Sequence, residues 1–318
     1  MSTRRQFLSQ SALATGALAM SRTASAAAPE APTRGKKEPT VSTKKGFWPN
    51  GARLAISLSL QFESGAQPER GASSPFPPID PKYPDLPVAT WYEYGVREGI
   101  PRLLEMFARR GIHVTSHMVG QAVERNPALA KEIVERGHEA AAHGQTWTPQ
   151  FSMTPEEERA SYEANVRAIQ RATGQTPVGF NAFWMRGTPR TLEILQDLGF
   201  LYHIDDVSRD EPFVVDVRGK PFAVVPYTLG MNDIISFELR NYIAEQFASE
   251  LKNEFDALYA EAGGRRRMMS VSMHDRISGR PGRVKMLEEF IRYAQRQPGV
   301  WFARKDELAR WTLEQAGT

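Results

Sequence analysis

The sequence predicts an α/β fold, a distorted (β/α) barrel within a single domain. From residue 50 onward, short apolar runs typical of strands alternate with longer amphipathic runs typical of helices. Repeated strand–helix units over such a length favour a barrel or a distorted relative of one. Two of the strands are followed directly by a histidine, His143 and His274. Because these folds carry their chemistry at the carboxyl ends of strands, we expect both histidines at one mouth of the barrel.

Local signals place the individual elements along the chain. One helix begins with Pro127 and ends before Gly137, and another opens with Thr154 as its cap and Pro155 as its first residue. A loop rich in Pro, Gly and Ser is predicted for 64–90. Strands are expected at 54–60, at 113–119, just before His143, and at about 178–180, 201–204, 222–226, 268–273 and 300–302. Helices are expected at about 94–110, 127–136, from 155 onward, and at 189–198, 241–262, 281–297 and 304–313.

The first 26 residues predict an export signal. Arg4 and Arg5 stand in a twin-arginine pattern, a mild apolar stretch follows at 12–20, and Ala-Ser-Ala at 24–26 is typical of a cleavage site. We therefore expect a twin-arginine signal peptide at 1–26 and a mature protein in the bacterial periplasm. The alternative is a disordered basic tail. A flexible linker is expected at 27–49 and the barrel domain at 50–313.

Composition excludes several classes of protein. The chain of 318 residues has no cysteine, so it has neither disulfides nor thiolate chemistry. The three arginines of residues 1–26, where no acid stands, account for the formal net charge of +3, and nothing in the rest predicts a nucleic-acid partner. After the leader, no apolar run approaches the roughly 20 residues that span a bilayer. The expected partner is a small-molecule or glycan substrate, and association into a homo-oligomer stays open.

Short motifs stand in a characteristic order over about residues 50–313. They are Gln61-Phe62-Glu63, Tyr92-Glu93-Tyr94-Gly95, Val119-Gly120, Arg136-Gly137-His138-Glu139, His143-Gly144, Arg186 with Pro189, Gly199-Phe200, Asp205-Asp206 with Pro212, Asn232-Asp233, and His274 with Ser278-Gly279-Arg280-Pro281. This order resembles the polysaccharide deacetylase (NodB-homology) superfamily, and within it most closely the branch of peptidoglycan deacetylase-like proteins and metal-independent allantoinases. The resemblance implies a NodB-type distorted barrel that hydrolyses a non-peptide carbon–nitrogen bond, typically an acetamide on a sugar.

The resemblance also raises the question of a metal ion. It implies that relatives with metal hold a divalent ion such as zinc with one carboxylate and two histidines four residues apart. Here Gln61 and Glu63 stand where those relatives have a pair of aspartates, and Trp147, which cannot ligate, stands four residues after His143. The allantoinase-like branch is implied to work without a tightly held ion. His117 is the alternative third ligand, which would give a Glu63–His117–His143 site.

Four residues are expected to carry the catalysis, because amide hydrolysis needs an activated water and a proton for the departing nitrogen. Glu63 would activate or hold the water, and His274 would protonate the leaving group. Arg186 would orient a catalytic carboxylate or bind the substrate, with a surface salt bridge as the alternative. Asp206, with Asp205, would orient one of these groups, although an aspartate pair after a strand is also typical of a cap or turn.

Four further residues are expected to bind substrate. Trp147 and Trp184 present aromatic faces that suit sugar or heterocyclic rings, and core packing is the alternative for both. Asn232 and Asp233 belong to the motif series that resembles the family and are expected to bind the substrate as well.

Three functions are compatible with these residues. The first is a periplasmic hydrolase that removes acetyl from an N-acetylated sugar or a related small amide. The second is an allantoinase-like enzyme that opens a cyclic ureide without a metal. The third is a non-catalytic barrel that binds a glycan.

Overall fold

Nine strands form one curled sheet in this protein, whose structure, a computed structural model, describes residues 46–80 and 82–317. The export signal predicted for 1–26, and the linker predicted for 27–49 up to residue 45, lie outside the described residues. The strands are β1 (Leu54–Phe62), β2 (Thr115–Met118), β3 (Glu139–Ala142), β4 (Gly179–Phe180), β5 (Tyr202–His203), β6 (Phe213–Val217), β7 (Lys220–Val224), β8 (Met268–His274) and β9 (Val300–Phe302). Their order is β6-β7-β5-β4-β3-β2-β1-β8, with β9 also paired to β1.

Helices cover the outer face of this sheet. They are α1 (Leu86–Tyr94), α2 (Ile100–Arg110), α3 (Gly120–Arg125), α4 (Pro127–Glu135), α5 (Pro155–Thr173), α6 (Thr191–Asp197), α7 (Ala244–Glu261), α8 (Asp275–Ser278), α9 (Pro281–Gln295) and α10 (Lys305–Ala316). Within the described part of the chain, none of the helices is long and apolar enough to cross a membrane. Most strand pairs are parallel and joined through helices, whereas β6 and β7 form an antiparallel hairpin. The α/β prediction is confirmed.

The central strand β1 is buried on both faces. Its even-numbered residues, Leu54 to Phe62, are apolar and pack under the helices in the main core. Alternate residues of a strand point to opposite faces, so the odd-numbered Ser57, Ser59 and Gln61 point into the curl of the sheet. Glu63 follows immediately and enters the same space at the carboxyl end. The polar interior of the curl therefore leads directly to the mouth where the strands end.

The open side of the curled sheet is closed by a loop rather than by another pair of hydrogen-bonded strands. Asn232, in the segment after β7, forms a single parallel bridge with Ser272 on the free edge of β8. On the same edge, the amide of Ser270 donates to Thr228 Oγ1 over 3.1 Å. This closure makes the barrel a distorted one, as the sequence predicts, and it brings the segment 228–233 against the carboxyl end of β8.

Several local features differ from the sequence-based expectations, among them the short helices α3 and α8, which are not predicted. Helix α1 begins inside the segment expected to be loop, and a π-helical turn, Gly95–Gly99, joins it to α2. Strand β6 is not among the predicted strands, although Arg218 and Gly219, both at positive φ (51° and 78°), make the two-residue turn typical of a hairpin. The remaining predicted helices and strands are present within a few residues of their expected bounds.

Candidate active site

Glu63 is the centre of a buried cluster at the carboxyl ends of β1, β3 and β8. Its side chain is only 4% exposed. Oε1 lies 3.3 Å from Nε2 of His143 and 3.5 Å from Nε2 of His274, and Oε2 accepts a hydrogen bond of 2.8 Å from Arg276. Burial opposes ionisation, but the neighbouring His274 and Arg276 outweigh it and hold the pKa of Glu63 well below its usual value. Glu63 is therefore a carboxylate with one oxygen, Oε1, turned toward two imidazoles.

His274, the last residue of β8, is held from behind by Asp233. The ring donates from Nδ1 to Asp233 Oδ1 over 2.5 Å, and the His274 amide donates to the other carboxylate oxygen over 2.7 Å. Ser278 Oγ also donates to Asp233, over 2.7 Å. Burial lowers the pKa of His274, but Glu63 and Asp233 on its two sides raise it overall to about 10. The ring is consequently doubly protonated at neutral pH and directs an N–H at Glu63.

His143, one residue after β3, is fixed in a single orientation. Its Nδ1 donates to the carbonyl oxygen of Asn181 over 2.7 Å, because a carbonyl can only accept. Its amide donates to Asn165 Oδ1 over 2.8 Å. These contacts leave Nε2, 3.3 Å from Glu63 Oε1, as the nitrogen that faces the site.

Arg276 is a fully buried cation that the sequence does not single out. Its side chain is 1% exposed, and it bonds both Glu63 and, over 3.3 Å, Asp275 Oδ1. The guanidinium carbon lies 4.5–5.0 Å from the ring centres of Trp91, Tyr92 and Trp147. The guanidinium is therefore enclosed by two carboxylates and three aromatic rings.

Asp275 ties the carboxyl ends of β1 and β8 together. Its Oδ2 accepts from the amides of Glu63 (3.1 Å) and Ser64 (2.9 Å), and its Oδ1 accepts from the amide of Arg276 (2.7 Å). Helix α1 leads into this contact through Gly95, where an added Cβ would lie 2.2 Å from Ser64 Oγ and 2.7 Å from Asp275 Cγ. A side chain at position 95 would therefore displace the loop that carries Glu63.

A pocket of about 460 Å³, counting its opening to solvent, lies over this cluster. Glu63, His143 and His274 face it from below. Its other lining residues are mainly aromatic, apolar and amide side chains: Gln61, Trp147, Asn181, Ala182, Phe183, Trp184, Met185, Tyr227, Asn232, Ile234 and Ile235. Trp184 and Met185 have φ of 53° and 57°, a left-handed backbone that costs about 1–3 kcal/mol each in non-glycine residues. Two strained residues therefore lie side by side in the wall of the pocket.

The base of the pocket carries one hydrogen-bond acceptor without a partner among the described residues, Gln61 Oε1. The amide nitrogen of Gln61 donates to Ser272 Oγ over 3.0 Å, whereas its Oε1 has no hydrogen-bond partner among the described residues. A buried carbonyl oxygen without a partner loses a hydrogen bond worth about 1–3 kcal/mol. A bound amide N–H would restore that bond.

The structure brings together some of the predicted site residues and separates others. Glu63, His143 and His274, three of the residues chosen from the sequence, converge below the pocket, and their chemical roles stay predictions. Trp147, Trp184 and Asn232 line its walls, and their contact with a substrate stays a prediction. Asp233 does not line the pocket, because it is fully buried behind His274; this corrects its expected role as a substrate ligand.

Arg186 and Asp206 lie outside the cluster. Arg186 is exposed and its side chain makes no hydrogen bond or ion pair with any described residue, and Arg276 is the arginine that bonds the carboxylate instead. Asp206 accepts from the amide and hydroxyl of Ser208 and so forms a local turn. Its neighbour Asp205 does reach the site wall, where it accepts from the amide of Ala182 over 3.0 Å. The turn considered as the alternative for the aspartate pair is what Asp206 forms.

His117 does not join Glu63 and His143 in a three-ligand site. It is paired in register with Gln61, two residues before Glu63, and so lies roughly 6–7 Å farther down the strands. Its ring centre is 6.5 Å from that of His143, and neither of its nitrogens has a partner in the described part of the chain. Burial lowers the pKa of His117 well below 6.5. It is an uncharged histidine within the curl.

The residues present do not fit a divalent metal ion. Between residues 46 and 317, Pro81 aside, no group of three or more His, Asp or Glu is arranged to hold one. One oxygen of Glu63 already accepts from Arg276, Nδ1 of His274 is bonded to Asp233, and Trp147 offers no lone pair. The predicted Glu63–His117–His143 site is therefore not formed.

Comparison with known proteins gives one consistent grouping. A family model described as Polysaccharide deacetylase matches residues 81–203. The chain is 35% identical to a crystal structure described as a "probable Polysaccharide deacetylase" from Pseudomonas aeruginosa PAO1, with a TM-score of 0.77 over 83% of this chain and 92% of that one. It is 32% identical to Puue allantoinase, also with a TM-score of 0.77, over 83% and 91%. It is 26% identical to a peptidoglycan deacetylase of Helicobacter pylori, over 66% of this chain and 82% of that protein.

Proposed function

Because the chain belongs to the polysaccharide deacetylase family of carbon–nitrogen hydrolases, we propose that it removes acetyl from an N-acetylated sugar or a related small amide. The observation that carries this proposal is the pairing of Glu63 with His274, Oε1 to Nε2 over 3.5 Å, at the base of a ring-lined pocket. A carboxylate beside a protonated imidazole supplies the base and the acid that amide hydrolysis needs.

The proposed reaction uses these two groups in turn. As the water oxygen attacks the amide carbon, Glu63 Oε1 takes one of the water's protons. His274 Nε2 then donates its proton to the amide nitrogen, and the C–N bond breaks to give a carboxylic acid and an amine. The short distance from Glu63 to His274 lets the proton return to the imidazole and resets the site. Asp233 and Arg276 bond these groups but do not line the pocket, so both are positioning residues.

The walls of the pocket set the expected class of substrate. Trp147 and Trp184 offer faces for a sugar or heterocyclic ring, and Gln61 Oε1 offers an acceptor to the N–H of the amide.

Hydrolysis of a cyclic ureide is the second candidate function. It is favoured by the absence of a fitted metal site among the described residues and by the likeness to Puue allantoinase. Opening such a ring breaks the same kind of bond and uses the same two groups. The two reactions differ only in the substrate. In a cyclic ureide the carbonyl and the leaving nitrogen belong to one ring, so both stay in a single product after the bond breaks.

One assay separates these candidates. The purified protein is incubated with N-acetylated sugars and with cyclic ureides, each with added zinc and with a chelator. Acetate release supports the first candidate, and ureide opening supports the second. If neither class is turned over while the protein is folded, both are wrong, and a binding role without catalysis replaces them.

We further propose export by the twin-arginine route. The support is the Arg4–Arg5 pattern, the apolar stretch and the cleavage site of the sequence. Changing both arginines to lysine keeps the charge but should retain the protein in the cytoplasmic fraction of a bacterial host. If the variant still reaches the periplasmic fraction, or if the parent does not, the proposal is wrong.

A further inference from the structure

Arg276 lies where the buried carboxylates of the site need a positive charge. Glu63, Asp233 and Asp275 are each at most 4% exposed, and His274 alone cannot balance three buried anions. An unpaired buried charge costs several kcal/mol, so a second cation is required. The guanidinium of Arg276 supplies it through its bonds to Glu63 and Asp275.

The aromatic enclosure adapts this place to a guanidinium. Trp91 and Tyr92 belong to helix α1, and Trp147 comes from the loop after β3, so two separate segments converge on one cation. A desolvated cation over an aromatic face gains about 2 kcal/mol or more. Three rings therefore offset much of the cost of burying the charge, and the two tryptophans offer no lone pair to a metal ion.

Arg276 does not itself line the pocket. Trp147 does, and its ring lies 5.0 Å from the guanidinium carbon. The cation thus acts on Glu63 from the side away from the substrate. It keeps Glu63 ionised and aimed, but it offers no direct contact to a substrate carbonyl.

We propose that Arg276 is the built-in cation of this site, which positions Glu63 and excludes a divalent ion, with Trp147 closing its enclosure. The part of the inference that concerns catalysis rests on the proposed function, whereas the exclusion of metal does not. A divalent ion bound to Glu63 would stand beside the guanidinium, and the repulsion of like charges at such short range disfavours it.

The test is zinc binding, measured by calorimetry on the chelator-treated protein. The parent and Trp147→His should both bind zinc no more tightly than about 100 μM, because the histidine restores a ligand while the guanidinium still repels the ion. The double variant Trp147→His/Arg276→Gln should bind at least about 10-fold more tightly, since it has the ligand and lacks the cation. If Trp147→His alone binds as tightly as the double variant, Arg276 is not the obstacle and the inference is wrong.

Two controls keep the result interpretable. Trp147→His/Arg276→Lys retains the positive charge and should bind zinc as weakly as the parent; binding as tight as that of the Gln variant would overturn the charge argument. The Tm of each variant is followed with and without zinc, because a variant weakened by loss of Arg276 should regain Tm only when zinc replaces the lost charge.

A stoichiometric zinc ion in the parent as purified would also contradict the inference. Absence of turnover on every substrate would count against the proposed function and leave these binding results valid.

Discussion

The barrel holds two buried polar clusters that differ in how their charges are balanced. The mouth cluster, Glu63, His143, Asp233, His274 and Arg276, pairs carboxylates directly with cations at the carboxyl ends of the strands. The floor cluster, Thr115, His117, Glu139, Ser270 and Lys305, lies deeper in the curl. There Lys305 donates only to hydroxyls, over 2.9 Å to Ser270 and 3.3 Å to Ser57.

The two clusters shift acidity in opposite directions. At the mouth, neighbouring carboxylates overcome burial and raise the pKa of His274 to about 10. On the floor, burial dominates: it lowers the pKa of Lys305 to about 7 and raises that of Glu139 to about 7. The mouth cluster thus keeps Glu63 and His274 ionised at neutral pH, whereas Lys305 and Glu139 of the floor cluster tend toward their uncharged forms. Burial of polar residues therefore does not by itself identify a functional site. Residues that stay charged although buried, and that lie beside a pocket, do identify one.

The largest effect is expected for His274→Gln. Glutamine can still donate a hydrogen bond but cannot deliver a proton, so turnover should fall by about 10²- to 10⁴-fold. Steady-state kinetics on the substrate identified by the assay above, together with Tm, measures this. Normal turnover in a folded variant would mean that another residue is the acid, and the mouth cluster would then no longer differ from the floor cluster in function.

Asp233→Asn sharpens the same comparison through pH. If the protonated His274 is required, activity of the parent should persist up to about pH 10 and decline above it. Removing the Asp233 charge lowers the pKa of His274, so the alkaline limb should move to lower pH, with a loss of kcat of about 10- to 100-fold. The measurement is the pH profile of kcat/KM. An unmoved limb would mean that Asp233 has only a structural role.

Gly95→Ala tests the backbone contact that supports the mouth cluster. The new Cβ would overlap Ser64 Oγ and Asp275 Cγ, and the overpacking should cost about 1–3 kcal/mol of unfolding free energy and lower activity. The matched control is Gly282→Ala, which meets nothing within 4 Å and should change stability by less than about 0.5 kcal/mol. Urea unfolding of both variants provides the comparison; equal stability would show that α1 can move aside freely.

The smallest effect on activity is expected for Lys305→Met on the floor. The kcat/KM should stay within about two-fold of the parent, because the hydrogen bonds of Lys305 Nζ go to Ser57 and Ser270, and neither serine lines the pocket. Stability should respond instead. The unfolded chain keeps the Lys305 proton up to about pH 10.5 and the folded chain only to about 7, so this residue makes the parent more stable as pH rises between these values.

Urea unfolding at pH 7 and pH 9.5 measures that response. The methionine variant should lack the part of the pH dependence that Lys305 contributes. The free energy of unfolding of the variant, relative to that of the parent, should therefore be greater at pH 7 than at pH 9.5. A large loss of turnover with unchanged stability would instead assign Lys305 to catalysis and erase the difference between mouth and floor.

The sequence predicts the parts of the site that follow strands. Glu63, His143 and His274 each stand directly after an apolar or small-residue run, and parallel strands bring their carboxyl ends to one edge. The barrel itself follows from the same alternation. These inferences need only local pattern and a general rule of parallel sheets.

The remaining parts depend on packing between distant segments. The Arg276 enclosure joins helix α1, the loop after β3 and the turn after β8, and no local pattern connects them. The sequence predicts Arg186 as the arginine of the site because it stands in a motif, yet only the fold decides which guanidinium reaches Glu63. The signal available was the position of Arg276 two residues after His274, in the same turn. Similarly, only the closing segment after β7 reveals that Asp233 stands behind His274 rather than in the pocket.

The most direct test of the mouth cluster is the titration of His274 followed by ¹⁵N NMR of the imidazole nitrogens, assigned by comparison with His274→Gln. With carboxylates on both sides, both ring nitrogens should remain protonated from pH 6 to about pH 9 and titrate near 10. A ring that loses its proton near pH 6.5 would mean that Glu63, His274 and Asp233 are not assembled as described, and the proposed acid–base pair would be contradicted.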